Sequence, residues 1–245
     1  GAKAMIDDGL FERFPVQEVY GLHNLPNLPL GHFAITTGPT MASVDEIKIR
    51  VEGIGGHAAF PHQTVDPISV TAALIQAVQT IVSRNVDPLK SAVVSITTIH
   101  GGDAFNVIPP TISLTGTVRT LDEEVRDLVE RRLRKAVAGI ADAFDARAEL
   151  DYVRNYPVTV NDPAKVQNAV RAAAEVADAA NVNTELAPTM GGEDFAFMLE
   201  AVPGAFIFAG NGPSAGLHHP QYDFNDELIP YGCSYWATLV RQLLG

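Results

Sequence analysis

Between residues 44 and 156 the chain switches repeatedly between a period of two and a period of 3.6. Ile47, Ile49 and Val51 alternate with Glu46, Lys48, Arg50 and Glu52, the pattern of a strand with one face buried and the other in water. Over residues 67–82 the apolar positions Leu74, Ile75, Val78, Ile81 and Val82 fall on one side of a helix, which predicts an amphipathic helix. Residues 91–99 and 111–119, rich in Val, Ile and Thr and separated by the turn signal Gly101-Gly102, read as strands. Thr120 and Glu123 make a capping-box pair in front of a helix whose Val125, Leu128, Val129, Leu133, Val137 and Ile140 share a face. Ala148, Leu150 and Tyr152 alternate in a last strand. The order is β-α-β-β-α-β, the split βαβ order of a ferredoxin-like α+β domain.

The flanks follow a different rhythm. Ala2, Met5, Ile6 and Leu10 predict a helix at the start, and Val19-Tyr20-Gly21-Leu22-His23-Asn24 a strand that runs into a Pro-rich loop. Beyond Tyr156, helices are predicted at 163–180, 193–201 and 231–244, with an apolar strand at 205–209. Neither flank holds enough strands for a sheet of its own, so the economical arrangement joins them into one α/β domain interrupted by the middle block. The expected boundaries are 1–43 and 157–245 for the α/β domain and 44–156 for the insert.

Composition narrows the function. Cys233 is the single cysteine among 245 residues, which removes disulfide frameworks and cysteine-rich zinc sites and makes a reducing, cytoplasmic setting the expectation. With 17 Lys and Arg against 29 Asp and Glu the formal charge is −12, so nucleic acid and anionic membrane surfaces are repelled on average. No apolar run approaches the roughly 20 residues needed to span a bilayer. The chain opens on Gly1 without an initiator Met and runs straight into a helical pattern, which reads as a chain cut from something longer.

The seven histidines stand at 23, 32, 57, 62, 100, 218 and 219. His23 closes a strand, and strand ends in open α/β sheets are where ligands bind. His218 lies in the loop Gly216-Leu217-His218-His219-Pro220, followed by Asp223, Asp226 and Glu227. Neutral imidazole is a common ligand for zinc, manganese or nickel, but a catalytic metal takes three protein ligands or more. Gly53, Gly55 and Ala58 fit a dinucleotide-binding G-x-G-x-x-A, yet Pro61 and Pro67 interrupt the helix that motif requires. The glycines instead suit a bend that carries His57 outward. Gly212-Pro213-Ser214-Ala215-Gly216 matches a serine-hydrolase elbow, but no helix follows Ser214 directly and no histidine lies beyond 219 to complete the order. Asn106 is a lone amide in an apolar run, and Gly191, Gly192, Glu193 and Asp194 stand where a helix is predicted to start, a position that favours carboxylates or a bound anion.

Taken in order, the segments 19–24, 53–62, 105–110, 190–195 and 217–226 resemble those of the aminoacylase/carboxypeptidase-type metallohydrolases, and most of all their hippurate hydrolase-like amidohydrolase branch. The resemblance runs from Gly1 to Gly245. It implies a di-metal α/β catalytic domain with an inserted ferredoxin-like lid that mediates homodimerisation, and two divalent ions (Zn, Mn or Ni) as cofactors. It implies that His23 and His218 are metal ligands, with His219 at a variable position. It makes His57 the lid histidine that stabilises the oxyanion, gives Asn106 a part in substrate or oxyanion binding, and sets Gly191, Gly192 and Glu193 along the pocket. The relatives' Cys-Gly-His-Asp-Gly-His segment and their catalytic Glu-Glu pair have no counterpart here, since Glu123-Glu124 falls on a helix of the insert. The implied activity is metal-assisted hydrolysis of N-acyl or N-aroyl amino acids, in a chain expected to be the C-terminal two-thirds of such an enzyme and inactive alone. The competing expectations are a non-catalytic dimerisation module and, more remotely, a serine hydrolase using Ser214.

Overall fold

A computed structural model describes all 245 residues, Gly1–Gly245. The chain begins with α1 (Ala2–Asp7), α2 (Leu10–Arg13), β1 (Val19–Leu25), β2 (Phe33–Ala34) and β3 (Gly38–Met41). It continues through β4 (Val44–Glu52), β5 (Gly56–His57), α3 (Pro67–Asn85), β6 (Ala92–His100), β7 (Val107–Ile108), β8 (Thr111–Thr120), α4 (Glu123–Ala143) and β9 (Arg147–Tyr156). It ends with β10 (Thr159–Asn161), α5 (Pro163–Ala177), β11 (Val182–Asn183), α6 (Ala196–Ala201), β12 (Gly204–Gly210) and α7 (Leu228–Leu244). These elements form two compact units, Gly1–Met41 with Thr159–Gly245, and Ala42–Val158.

In the unit Ala42–Val158 the sheet order is β6-β8-β4-β9, antiparallel throughout. The alternation in β4 has its physical cause here: Ile47, Ile49 and Val51 are buried against α3 and α4, where they meet Val70, Leu74, Val78, Val129, Leu133 and Val137. The opposite face carries Lys48, Arg50, Ser113, Thr115, Glu149 and Asp151. The capping box does not form. β8 pairs as far as Thr120, opposite Ala92, and its buried hydroxyl lies 2.9 Å from that of Ser43. The cap of α4 is Asp122, whose Oδ1 accepts from the amides of Glu124 (2.8 Å) and Val125 (3.1 Å). A strand that runs on to Thr120 leaves the turn to the next two residues, and the carboxylate arrives at the capping position in its place.

A buried ionic network ties this unit together. Asp45, fully buried, accepts from Arg126 Nε at 3.0 Å and Nη2 at 2.5 Å and from the Tyr152 hydroxyl at 2.5 Å. Arg126 Nη2 also donates to the Tyr156 carbonyl, and Nη1 to Glu123. The start of β4, the first turn of α4 and the end of β9 are thereby fastened at one point. Burial opposes the Arg126 charge, but Asp45 and Glu123 outweigh it and hold the guanidinium above its ordinary value.

In the other unit the sheet order is β1-β12-β2-β11, with β1 parallel to β12 and β12 antiparallel to β2. Every residue of β12 is buried, which explains its unbroken apolar run. One face meets α5 and α7 through Ile207, Ala169, Ala173, Tyr235 and Leu239. The other packs Phe206 and Phe208 against Phe195 and Leu199. The predicted first helix is two short ones, parted by Gly9 at φ 83°. The helix predicted at 163–180 stops at Ala177, because Asp178 takes φ 65°. α7 starts at Leu228, earlier than predicted, and α6 starts at Ala196, later than predicted.

Candidate active site

His23 is the fifth residue of β1, at the C-terminal end of the parallel pair, opposite Phe208 of β12. Its ring leans on those of Phe206 and Phe208, each with centroids 6.3 Å away. Its Nδ1 lies 2.6 Å from the carbonyl oxygen of Asn24. A carbonyl only accepts, so in the neutral ring the proton resides on Nδ1 and Nε2 keeps its electron pair. A backbone carbonyl holding the far nitrogen in this way is the usual support of a metal-binding imidazole.

The loop carrying His218 leaves β12 at the same sheet end. It is held there by Asn211, nearly fully buried, whose amide nitrogen donates to the Leu25 carbonyl at 3.0 Å. The Asn211 side chain donates to the Asp223 carbonyl at 3.1 Å and accepts from the Asn225 amide at 3.0 Å, closing the loop on itself. Asn24 Nδ2 donates to the Tyr222 hydroxyl, a second tie between the end of β1 and this loop. His218 is exposed and takes φ 63°, a left-handed conformation uncommon for a non-glycine residue. His219 differs: its Nδ1 accepts from the Gln221 amide at 3.1 Å, which in the neutral ring leaves the proton on Nε2. The structure thus gathers the segments of His23 and His218 at one end of one sheet. No group of three or more His, Cys, Asp and Glu side chains in the chain could hold a metal ion.

His57 and Asn106 meet in the other unit. β5 and β7 pair antiparallel, His57 opposite Val107, and the Asn106 carbonyl accepts from the Ala58 amide at 3.0 Å. A Cβ on Gly55 would stand 2.8 Å from the Ile108 carbonyl, and one on Gly53 would stand 2.0 Å from that of Val65. Those glycines therefore permit close approach of backbone segments distant in sequence rather than of a phosphate. His57 is exposed beside Phe60, with ring centroids 5.4 Å apart. Its Nδ1 accepts from the Ala59 amide at 3.1 Å. In the neutral ring the proton is then on Nε2, a donor facing outward, the reverse of His23.

The sequence profile of Peptidase family M20/M25/M40 matches residues 1–242. The chain belongs to this family. Among curated M20 relatives it is 42% identical to an N-acetyl-L-cysteine deacetylase of Bacillus subtilis over 244 residues, which is 100% of this chain and 58% of that protein. It is also 42% identical to a hippurate hydrolase of Campylobacter jejuni, again covering 100% of this chain and 64% of that protein. A solved dinuclear metal-binding M20 peptidase from Bacillus subtilis superposes with a TM-score of 0.82 at 32% identity, covering 100% of this chain and 61% of that one. The M20 chain spans about three fifths of the length of these relatives.

Other sequence expectations fall differently in the M20 chain. Gly191, Gly192 and Glu193 do not open a helix. They lie in a loop that ends in a turn before Ala196, and Glu193 Oε1 accepts from the Phe195 amide at 3.2 Å. Asp194 Oδ2 accepts from the amide of Ala2 at 2.7 Å, so this carboxylate anchors α1 rather than a helix start. The loop still approaches His23 indirectly, since Phe206 touches both the His23 ring and that of Phe195. Ser214 donates to the Ala215 carbonyl at 3.0 Å and accepts from Asn211, with no helix until Leu228. It is a loop-closing hydroxyl. Asn211 and Tyr222, which position the His218 loop, were not singled out by the sequence. The available signal was a lone amide directly after an apolar strand.

The base of β1 is pinned by a polar cluster. Tyr20 donates to Glu18 at 2.9 Å and accepts from Asn168 of α5 at 2.9 Å, while Lys165 pairs with Glu18 at 2.7 Å. Burial raises the Tyr20 hydroxyl to about 12. Burial also pushes Glu18 upward, but Lys165, Tyr20 and Asn168 together bring it below its ordinary value.

Proposed function

We propose that the protein is a metal-dependent amidohydrolase that cleaves the amide bond of N-acyl or N-aroyl amino acids. The observation that carries this reading is His23, which ends a parallel strand with Nδ1 tied to a backbone carbonyl and Nε2 free to coordinate, at the sheet end shared with the His218 loop. The relatives support the substrate class. One is named for N-acetyl-L-cysteine and another for hippurate, and both compounds carry an acyl group on an amino-acid nitrogen.

His23 and His218 would hold divalent ions, with Zn, Mn and Ni matching the imidazole donors. Two ligands fall short of the three a catalytic ion takes, so the remaining donors and the general base would lie outside these 245 residues. When bound, two such ions supply Lewis acidity and a water of lowered pKa. His57, with its proton on Nε2, donates to the oxygen on which charge develops, a contribution of roughly 3 kcal/mol for a well-placed donor. Asn106 would assist substrate or oxyanion binding, and Gly191, Gly192 and Glu193 would lie along the substrate's path. On this reading the unit Ala42–Val158, with its β-α-β-β-α-β order, is a ferredoxin-like lid and the site of homodimerisation. The protein works in the cytoplasm and, at net charge −12, engages neither nucleic acid nor membrane.

A non-catalytic dimerisation module is the second reading, favoured by the lack of a three-donor cluster in the chain. Release of free amino acid from N-acetyl and N-benzoyl substrates separates the two, assayed in the protein extended to the full length of its relatives. Activity that chelation abolishes and added metal restores supports the hydrolase. Activity indifferent to chelation, or a protein that takes up no metal, contradicts it.

A further inference from the structure

The segments that carry His57 and Asn106 present apolar side chains to solvent. Ile54 is 58% exposed, Phe60 51%, Val107 49% and Phe105 100%, the last being the most exposed of the chain's large hydrophobic side chains. Residues 53–63 and 104–110 contain no Asp, Glu, Lys or Arg, so no ionic group shares this surface with them. A phenyl ring left wholly in water contributes nothing to folding. Single exposed apolar residues are ordinary, but several gathered together mark a surface that binds something.

This group surrounds His57. β5 and β7 place His57 directly opposite Val107, and residues opposite each other in an antiparallel pair lie side by side on one face. The Phe60 ring stands 5.4 Å from the imidazole, centroid to centroid. Phe105 immediately precedes Asn106, whose carbonyl accepts from the amide of Ala58, the residue after His57. The outward donor Nε2 is thus bordered by apolar carbon, with the exposed ring of Phe105 one residue from Asn106.

In the hydrolase, Nε2 of His57 faces the oxygen of the scissile amide. The carbon bearing that oxygen has two other substituents, the acyl group and the amino-acid nitrogen. Beyond the nitrogen lies a carboxylate, which would lose its hydration against apolar carbon and find no partner in these uncharged segments. The acyl group, whether methyl or phenyl, pays no such penalty. We propose that Phe105, with Phe60 and Val107 beside it, contacts the acyl group of the substrate and gives the enzyme its preference for aroyl over acetyl groups. A phenyl group offers more apolar area than a methyl group and packs against aromatic rings in offset or edge-on arrangements. The inference deepens the hydrolase reading and rests on it.

Steady-state hydrolysis of N-benzoylglycine, N-acetylglycine and N-acetylleucine tests it, in the protein extended to the full length of its relatives. The variants are Phe105→Ala, Phe105→Leu and, as a control, Phe144→Ala, a ring 41% exposed just beyond α4. The readout is the ratio of kcat/KM between substrates, because a variant that has merely lost folded protein loses all rates alike. Wild type should prefer the benzoyl to the acetyl substrate. Phe105→Ala should shrink that preference at least about tenfold, Phe105→Leu should shrink it less, and Phe144→Ala should keep the wild-type ratio. The ratio between N-acetylleucine and N-acetylglycine should be the same in wild type and Phe105→Ala. An unchanged benzoyl-to-acetyl ratio in Phe105→Ala, a wild type without benzoyl preference, or a variant altered chiefly in its leucine-to-glycine ratio overturns the acyl contact and leaves the hydrolase standing. A wild type that cleaves none of the three overturns both.

Discussion

His23 and His57 are the same side chain set to opposite tautomers by one backbone partner each. The Asn24 carbonyl fixes the proton of His23 on Nδ1, and the Ala59 amide fixes that of His57 on Nε2. Nitrogen-15 shifts at neutral pH should report those two opposite tautomers. An Nε2-protonated His23 would remove the argument for it as a ligand. Both histidines were legible in the sequence because they stand at a strand end and beside a glycine bend, local features that need no tertiary knowledge. Asn211 and Tyr222 were not, since their roles depend on partners far along the chain, as in the Asn24–Tyr222 pair. Replacing Asn211 by Ala leaves buried groups unpaired and should cost about 1–3 kcal/mol, measured by urea unfolding. The Glu18–Tyr20–Lys165 cluster gives a pH signature. Glu18 is lowered from 4.5, so its contribution is whole above that value and is lost as pH falls through the lower folded value. Tyr20 is raised from 10.0 to about 12, so its contribution is whole below 10 and is lost as pH rises towards 12. Glu18→Gln should flatten the acid limb of the stability profile, and Tyr20→Phe the alkaline limb.

Elements were legible wherever a period persisted and less so where an end depended on pairing. The apolar stripes of α3 and α4 follow directly from spacing, and so does the alternation of β4. The start of α4 does not, because the capping box at Thr120 and Glu123 competes with β8, which keeps Thr120 in the ladder. Asp122→Ala should therefore cost about 1 kcal/mol through loss of the cap. The carboxylate also holds Lys90 at 2.6 Å, an exposed pair that adds little. No loss of stability at Asp122→Ala would contradict Asp122 as the cap. α6 starts later than its sequence pattern predicts for a similar reason. Carboxylates before an apolar run imitate a helix start, but Asp194 is committed to the amide of Ala2. The glycines before His57 could be read as a bend from sequence alone, yet not the reason for it, which lies in carbonyls from residues 65 and 108.

For the whole molecule, the switch of period told apart a middle block and two flanks, whereas strand order within each sheet rests on pairings that no local pattern encodes. The buried Asp45–Arg126 pair was also invisible, since its members are 81 residues apart. Arg126→Ala would strand the Asp45 carboxylate without its partner and should destabilise the unit Ala42–Val158 by about 3–5 kcal/mol, whereas replacing both residues by apolar ones should cost much less. Family membership and the sheet-end histidines together lead to one claim, that His23 and His218 bind metal for amide hydrolysis. Its most direct test is metal content and N-acyl amino acid hydrolysis measured together, in the protein at the full length of its relatives, for wild type, His23→Ala and His218→Ala. Wild type should hold divalent metal and release free amino acid. Each variant should lose bound metal and at least about a hundredfold in rate, with the fold intact by circular dichroism. Full activity and full metal content in both variants would contradict the assignment.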